Sequence, residues 1–177
     1  MCHTPKIERL NKEPWQTNRL TPDDVRSLYE KHGSTLVAYA CSCGVDFASA
    51  EDVVQQVFLR LLNPPRSAPD VPIAYLYRAT RNACLNHHRD RMRETVLPEE
   101  ETWLVSSGAT QAEALAVQKA LRDLPEEQRE TVFLRIWSGM TLAEIAEATA
   151  TPLNTVASRY RYGLEKLRGQ LGQYLKK

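Results

Sequence analysis

TLAEIAEATATPLNTVASRYRYGLEKLR, residues 141–168, is the stretch whose reading decides the fold. It reads as two helices joined by a tight corner. Thr141 can cap the first helix, and Glu144 three residues on completes capping-box spacing. Leu142, Ile145, Ala146 and Ala148 or Thr149 give that helix an apolar side. Thr151 is expected to cap the second helix, with Pro152 at its first position, where a missing N–H costs nothing. At about 100° per residue, Leu153, Val156, Tyr160, Leu164 and Leu167 fall on one side. The far side carries Asn154, Thr155, Ser158, Arg161, Tyr162 and Glu165. A buried stripe backed by small polar and basic side chains is what a groove-reading helix needs. From this stretch alone, an ordinary helical hairpin with a solvated outer face is the alternative.

Working outward, the 177 residues allow one domain or two small ones. The net charge is only +1, so the total gives no hint of a polyanionic partner, but the distribution does. Residues 152–177 hold six Lys/Arg against the single acid Glu165. Residues 78–93 hold five Arg, two His and one acid, Asp90. Between them, residues 95–150 hold ten acids and four bases. Two basic segments thus flank an acidic middle, and local charge governs phosphate binding. No apolar run reaches membrane-spanning length, and the N-terminus lacks a signal core, so no membrane insertion and a cytoplasmic location are expected. Four cysteines (Cys2, Cys41, Cys43 and Cys84) are too few for a disulfide scaffold.

Residues 1–20 read as a polar N-terminal arm. Thr21-Pro22-Asp23-Asp24 caps and starts a helix carrying Val25, Leu28, Tyr29, His32, Leu36, Tyr39, Ala40 and Cys43 at helical spacing. Gly44 stops it. Ser49 with Asp52 is expected to restart a helix that runs to about Leu62. Residues 63–72 form a proline-rich loop, followed by a long helix from about Ile73 to Arg93. Residues 95–111 read as a flexible acidic linker. Helices resume over about 112–123, 126–137, 141–149 and 152–175. No segment reads as a strand. The sequence therefore predicts an all-α protein: one small helical domain over 21–94, a linker, and a helix-turn-helix domain over 112–177.

Two helical faces carry candidate chemistry. On the helix from Ser49, the residues Val54, Val57, Phe58, Leu61 and Leu62 form an apolar arc. Asp52, Gln55, Gln56 and Leu59 cluster opposite it. A leucine framed by amides and a carboxylate suits a docking face, although a lone exposed leucine is also common. On the next helix, Ile73, Leu76, Tyr77, Thr80, Ala83 and Cys84 share one face. The opposite face carries Tyr75, Arg78, Asn82, Asn86, Arg89 and Arg93, with Arg81 and Leu85 at its edge. Arginine contacts phosphate, asparagine can bond base edges, and tyrosine can stack on an unpaired base. A solvated surface would mix signs more evenly. The set Cys41, Cys43, His32 and Cys2-His3 is a weak metal candidate, because Cys-x-Cys lacks the usual gap. No metal, cofactor or catalytic centre is expected.

These segments resemble bacterial sigma factors, above all the small two-domain extracytoplasmic function type. The resemblance rests on AEDVVQQVFLRLL (50–62), AYLYRATRNACLNHHRDRMR (74–93) and LPEEQRETVFLRIWSGMTLAEIAEATATPLNTVASRYRYGLEKLR (124–168), in that order. It implies that Asp52, Gln55, Gln56 and Leu59 dock on the coiled-coil of the largest subunit of core RNA polymerase. It implies that Tyr75, Arg78, Arg81, Asn82, Asn86, Arg89 and Arg93 open and read the −10 promoter element, with the proline-rich loop capturing a flipped base. It implies −35 contacts from Thr151, Asn154, Thr155, Ser158, Arg159, Arg161 and Tyr162, with residues 124–137 helping to meet the flap of the second large subunit. An anti-sigma partner is also implied as possible. The family usually has glycine at the hairpin corner where Ala150 stands, and Thr151, Asn154 and Ala157 also depart from its pattern. Two other readings are a helix-turn-helix regulator acting without polymerase and a Cys/His metal sensor.

Overall fold

The structure, a computed structural model, describes residues 20–62, 72–91 and 110–172. The N-terminal arm, the bulk of the proline-rich loop and of the linker, Arg93 and the last five residues lie outside the described residues, as do Cys2 and His3. Every regular element among the described residues is an α-helix: α1 (Pro22–Ser42), α2 (Phe47–Leu61), α3 (Pro72–Arg91), α4 (Gln111–Arg122), α5 (Glu126–Ile136), α6 (Leu142–Ala148) and α7 (Leu153–Leu171). None is long and apolar enough to cross a membrane.

Local chemistry sets most helix ends. α1 begins with the expected proline and a full capping box: the Asp24 N–H donates to Thr21 Oγ1 at 3.2 Å, and the Thr21 N–H donates to Asp24 Oδ2 at 2.9 Å. The Thr21 hydrogen bonds hold the Asp24 carboxyl below the ordinary carboxylate range. α6 has the same device at Thr141 and Glu144. α1 stops where Gly44 adopts φ +91°.

Three boundaries differ from the sequence reading. α2 is capped by Asp46, whose Oδ1 accepts from the Ser49 N–H at 3.0 Å; Ser49 is already inside the helix. Val45 and Ala50 lie at the staple positions around that cap and are both buried, which fixes the earlier start. α4 starts at Gln111, expected in the linker, because Thr110 and Glu113 form a third capping box. Thr151 does not cap α7, whose N-cap is Pro152 with no side-chain hydrogen bond. The corner explains this. The Thr151 N–H donates to Ala146 O at 2.9 Å and the Ala150 N–H to Glu147 O at 3.2 Å, the paired bonds of a Schellman turn. Thr151 therefore belongs to the end of α6, and its hydroxyl turns back to Thr149 O at 3.2 Å. Such a turn needs a left-handed residue, and Ala150 takes it at φ +50°.

α1, α2 and α3 pack as one group, with Tyr29 edge-on to Phe58 at 5.1 Å. α4 to α7 form a second group centred on α5 against α7. There Gly163 is buried, and a Cβ on it would meet Val132 Cγ2 at 2.6 Å. The α7 stripe holds at Val156 and Leu167, which are buried, while Leu153 in the first turn is 49% exposed. The groups are not separate bodies: α5 packs on α1 and α6 packs on α3, and the buried core runs through both.

Candidate nucleic-acid and polymerase interface

α2 turns Val53, Val54, Val57, Phe58 and Leu61 into the core, which leaves Asp52, Gln55, Gln56 and Leu59 outward. Leu59 is 63% exposed at the centre of that face. Beside it lies a shallow apolar groove of about 350 Å³ between the start of α1 and the end of α2, walled by Tyr29, Phe58, Leu59 and Leu62. The four expected docking residues thus stand together.

α3 buries Ala74, Leu76, Tyr77, Thr80 and Cys84. Asn82, Asn86 and Arg89 are exposed on its outer side, and Arg78 is half-buried. Tyr75 is half-buried against the core. A polar cleft of about 510 Å³ between α2 and α3 is lined by Asp52, Gln56 and Arg60 from one wall and Asn86, Arg89 and Asp90 from the other. The expected docking face and the basic face therefore meet at one cleft. His87 and His88 sit edge to face, and His88 Nε2 is 2.8 Å from Cys43 O, so His88 fastens α3 to the end of α1.

Arg81 is placed differently from its neighbours. Its Nε donates to Glu130 Oε1 on α5 at 2.8 Å, and the Tyr39 hydroxyl on α1 donates to the same oxygen at 2.6 Å. Glu130 is 7% exposed and Tyr39 is 1% exposed. Burial works against the Arg81 charge, but Glu130 and Tyr39 more than offset it and leave its pKa raised. Burial pushes the Tyr39 hydroxyl well above the ordinary tyrosine range, with Cys43 and Glu130 adding to it. Cys43 is held well above the thiol range by its neighbour Cys84 and by burial. The sequence reading passed over Glu130. Its one local signal is an acid at i−4 from Leu134 and i−3 from Phe133, on a buried stripe.

On α7, Asn154, Thr155, Arg161 and Tyr162 are exposed. The Arg161 guanidinium lies 4.8 Å from the Tyr162 ring centroid, and its Nη2 donates to the Tyr162 hydroxyl at 3.1 Å. Ser158 and Arg159 are half-buried with internal partners: Ser158 Oγ donates to Asn154 O at 2.9 Å, and Arg159 Nη1 to Thr151 Oγ1 at 3.4 Å. Thr151 is likewise half-buried. The seven expected −35 residues therefore split into an outward four, the pair Thr151 and Arg159 joined across the corner, and Ser158, whose hydroxyl bonds back within α7. Cys41, Cys43 and His32 gather no metal site, since no group of three or more His, Cys, Asp or Glu suited to a metal occurs among the described residues.

Two family models match, sigma-70 region 2 over residues 28–94 and sigma-70 region 4 over residues 114–167. The first spans most of α1 through α3 and the second α4 through most of α7. The ECF RNA polymerase sigma factor SigL of Mycobacterium tuberculosis is 31% identical over 155 residues, covering 81% of this chain and 86% of the relative. SigM of the same organism is 34% identical over 148 residues, covering 82% and 76%. Among solved structures, the sigma factor RpoE in complex with the anti-sigma factor NepR from Bartonella quintana shares the fold with a TM-score of 0.69 at 22% identity, over 86% of this chain and 98% of that one. CnrH in complex with the cytosolic domain of CnrY does so at 0.62 and 24%, over 86% and 90%. With both regions matched in order on the helices described, the chain belongs to the extracytoplasmic function (ECF) RNA polymerase sigma factors of the sigma-70 family.

Proposed function

We propose that this chain directs core RNA polymerase to promoters: the 21–94 unit docks on polymerase and opens the −10 element, and the 112–177 unit reads the −35 element. The observation that carries this is Leu59, 63% exposed and framed by Asp52, Gln55 and Gln56. A helix-turn-helix regulator working alone has no need of that face. An apolar anchor inside a polar rim is the usual form of a protein-binding hot spot. The α3 face supplies the second requirement, with Arg78 and Arg89 for phosphate and Asn82 and Asn86 for bases. Tyr75 and the 63–71 segment stand next to it in sequence for capture of an unpaired base. Asn154, Thr155, Arg161 and Tyr162 supply the upstream contacts, with Thr151 and Arg159 tying their helix to the corner.

The protein itself breaks no covalent bond. Binding energy from docking and from stacked, unpaired bases offsets the cost of melting. Such work is cytoplasmic. An anti-sigma partner is consistent with the complex with NepR in which the structural relative RpoE was solved.

Leu59→Glu tests the docking role. A pull-down with core polymerase should lose binding at least about 30-fold, the scale of a central hot spot of ~2 kcal/mol. Binding at the wild-type level refutes the assignment.

A further inference from the structure

We propose that Glu130 is an interdomain latch: it holds α5 over α1 and α3, and it occupies Arg81 until polymerase or DNA opens the seam. This rests on the reading of α3 as the −10 face.

Glu130 joins elements far apart in sequence. Its Oε1 accepts from Tyr39, 91 residues away on α1, and from Arg81, 49 residues away on α3. Around it Tyr39 packs on Tyr77 at 5.2 Å and on Phe133 at 5.8 Å, and Phe133 stacks on Trp137 at 5.3 Å. The carboxylate thus sits where the two helix groups meet. Arg81 is a member of the basic α3 face, so each closure takes one cation out of the set available to phosphate.

The seam is also built to part. Tyr77 on α3 and Ser138 after α5 bring two buried hydroxyls to it that find no partner beyond each other. A permanent interface pairs such groups fully, because hydrogen-bonding capacity left dry and unmet costs stability. Opening returns them, and the Glu130 carboxylate, to water. The Arg81 side chain stays 35% exposed, and an ion pair with one partner open to solvent adds little net stability, which suits a reversible contact. Closed and open forms then differ in DNA affinity through Arg81, so anything that prefers the open form raises that affinity by linkage.

The test uses the full chain with Glu130→Gln, and Tyr39→Phe, which keeps the ring and removes one donor. Small-angle scattering reads the separation of the two helix groups. Fluorescence anisotropy with a labelled mixed-sequence 20-nucleotide single strand, without polymerase, reads access to α3. Glu130→Gln should expand the particle and bind the strand about 5- to 150-fold more tightly than wild type, the range of ordinary coupling between sites. Tyr39→Phe should move both readings the same way by less, and it carries the test if Glu130→Gln fails to fold. Wild-type radius and wild-type affinity in the folded variants overturn the latch. Transcription with core polymerase separates the two ideas. If the wild-type chain supports transcription while the variants neither expand nor bind more tightly, the latch is wrong and the promoter-directing role stands. If the wild-type chain gives core polymerase no promoter-dependent transcription, that role fails whatever the scattering shows.

Discussion

Replacing Ala150 with glycine should make the protein more stable, at a position touching no proposed contact. Ala150 holds φ +50° at the corner between α6 and α7. The left-handed region costs an L-residue about 1–2 kcal/mol, because Cβ crowds the carbonyl oxygen. Glycine removes that cost but loosens the unfolded chain, which returns about 0.4–1 kcal/mol. The net gain is therefore about 1 kcal/mol. The two Schellman hydrogen bonds, Thr151 N–H to Ala146 O and Ala150 N–H to Glu147 O, are backbone bonds that glycine keeps. Urea unfolding followed by circular dichroism should show a higher midpoint at unchanged slope. Thermal unfolding should shift up by about 4–8 °C if α4 to α7 melt as one small domain, and by about half that if the seam makes the chain melt as a whole. Ala150→Val is the opposing control, since a β-branched residue fits the left-handed region worst. It should destabilise by more than glycine stabilises. A glycine variant no more stable than wild type, with valine tolerated, would refute the strained corner and the turn built on it.

Gly163→Ala should cost about 1–3 kcal/mol, because the new Cβ would lie 2.6 Å from Val132 Cγ2, and Val132 is fully buried and cannot retreat. That outweighs the roughly 0.5–1 kcal/mol gained by removing a mid-helix glycine. Adding Val132→Ala should recover part of the loss, and no loss in the single variant means that α5 and α7 do not pack so closely. Alkaline pH should unfold the protein through its buried tyrosines. Burial raises the Tyr77 pKa from 10.0 to about 12, partly offset by Ser138. The folded state holds that proton more tightly than the unfolded one, so the stabilisation is fully present below pH 10 and is lost as pH rises towards 12. Two pKa steps correspond to roughly 2–3 kcal/mol. Stability measured from pH 9 to 12 should fall less steeply in Tyr77→Phe than in wild type, and equal slopes would count against the burial of that hydroxyl.

What the sequence disclosed was what neighbouring residues decide. A helix start is written within three or four residues, so the cap at Thr21 and the capping box of Thr141 and Glu144 could be read directly. The outward position of Leu59 followed from helical periodicity, because the arc of Val54, Val57, Phe58 and Leu61 had to go inside. Three boundaries went the other way, one of them α4, whose Thr110–Glu113 box begins in the stretch read as linker. Asp46 and Ser49 are both good caps, and the buried pair Val45 and Ala50 decided between them. Thr151 has cap chemistry too, but the backbone of the Schellman turn claimed it first.

Periodicity also explains why the seam stayed hidden. It tells which side of a helix avoids water, and not what lies across from it. Arg81 sits at the edge of the α3 apolar face, where a long basic side chain can reach solvent, a phosphate or a partner with equal ease. Only the approach of α5 selects among these. Glu130 gave the complementary clue, an acid on a stripe otherwise destined for burial. A buried carboxylate needs a donor or a cation, and none stands three or four residues away on its exposed side to draw it out. Tyr39 and Arg81 meet that need from two other helices. The charge that nearest neighbours leave unexplained is thus the one that ties the two halves together. It does so through a residue that the promoter reading places on DNA, so the pairing and the DNA contact compete for one guanidinium.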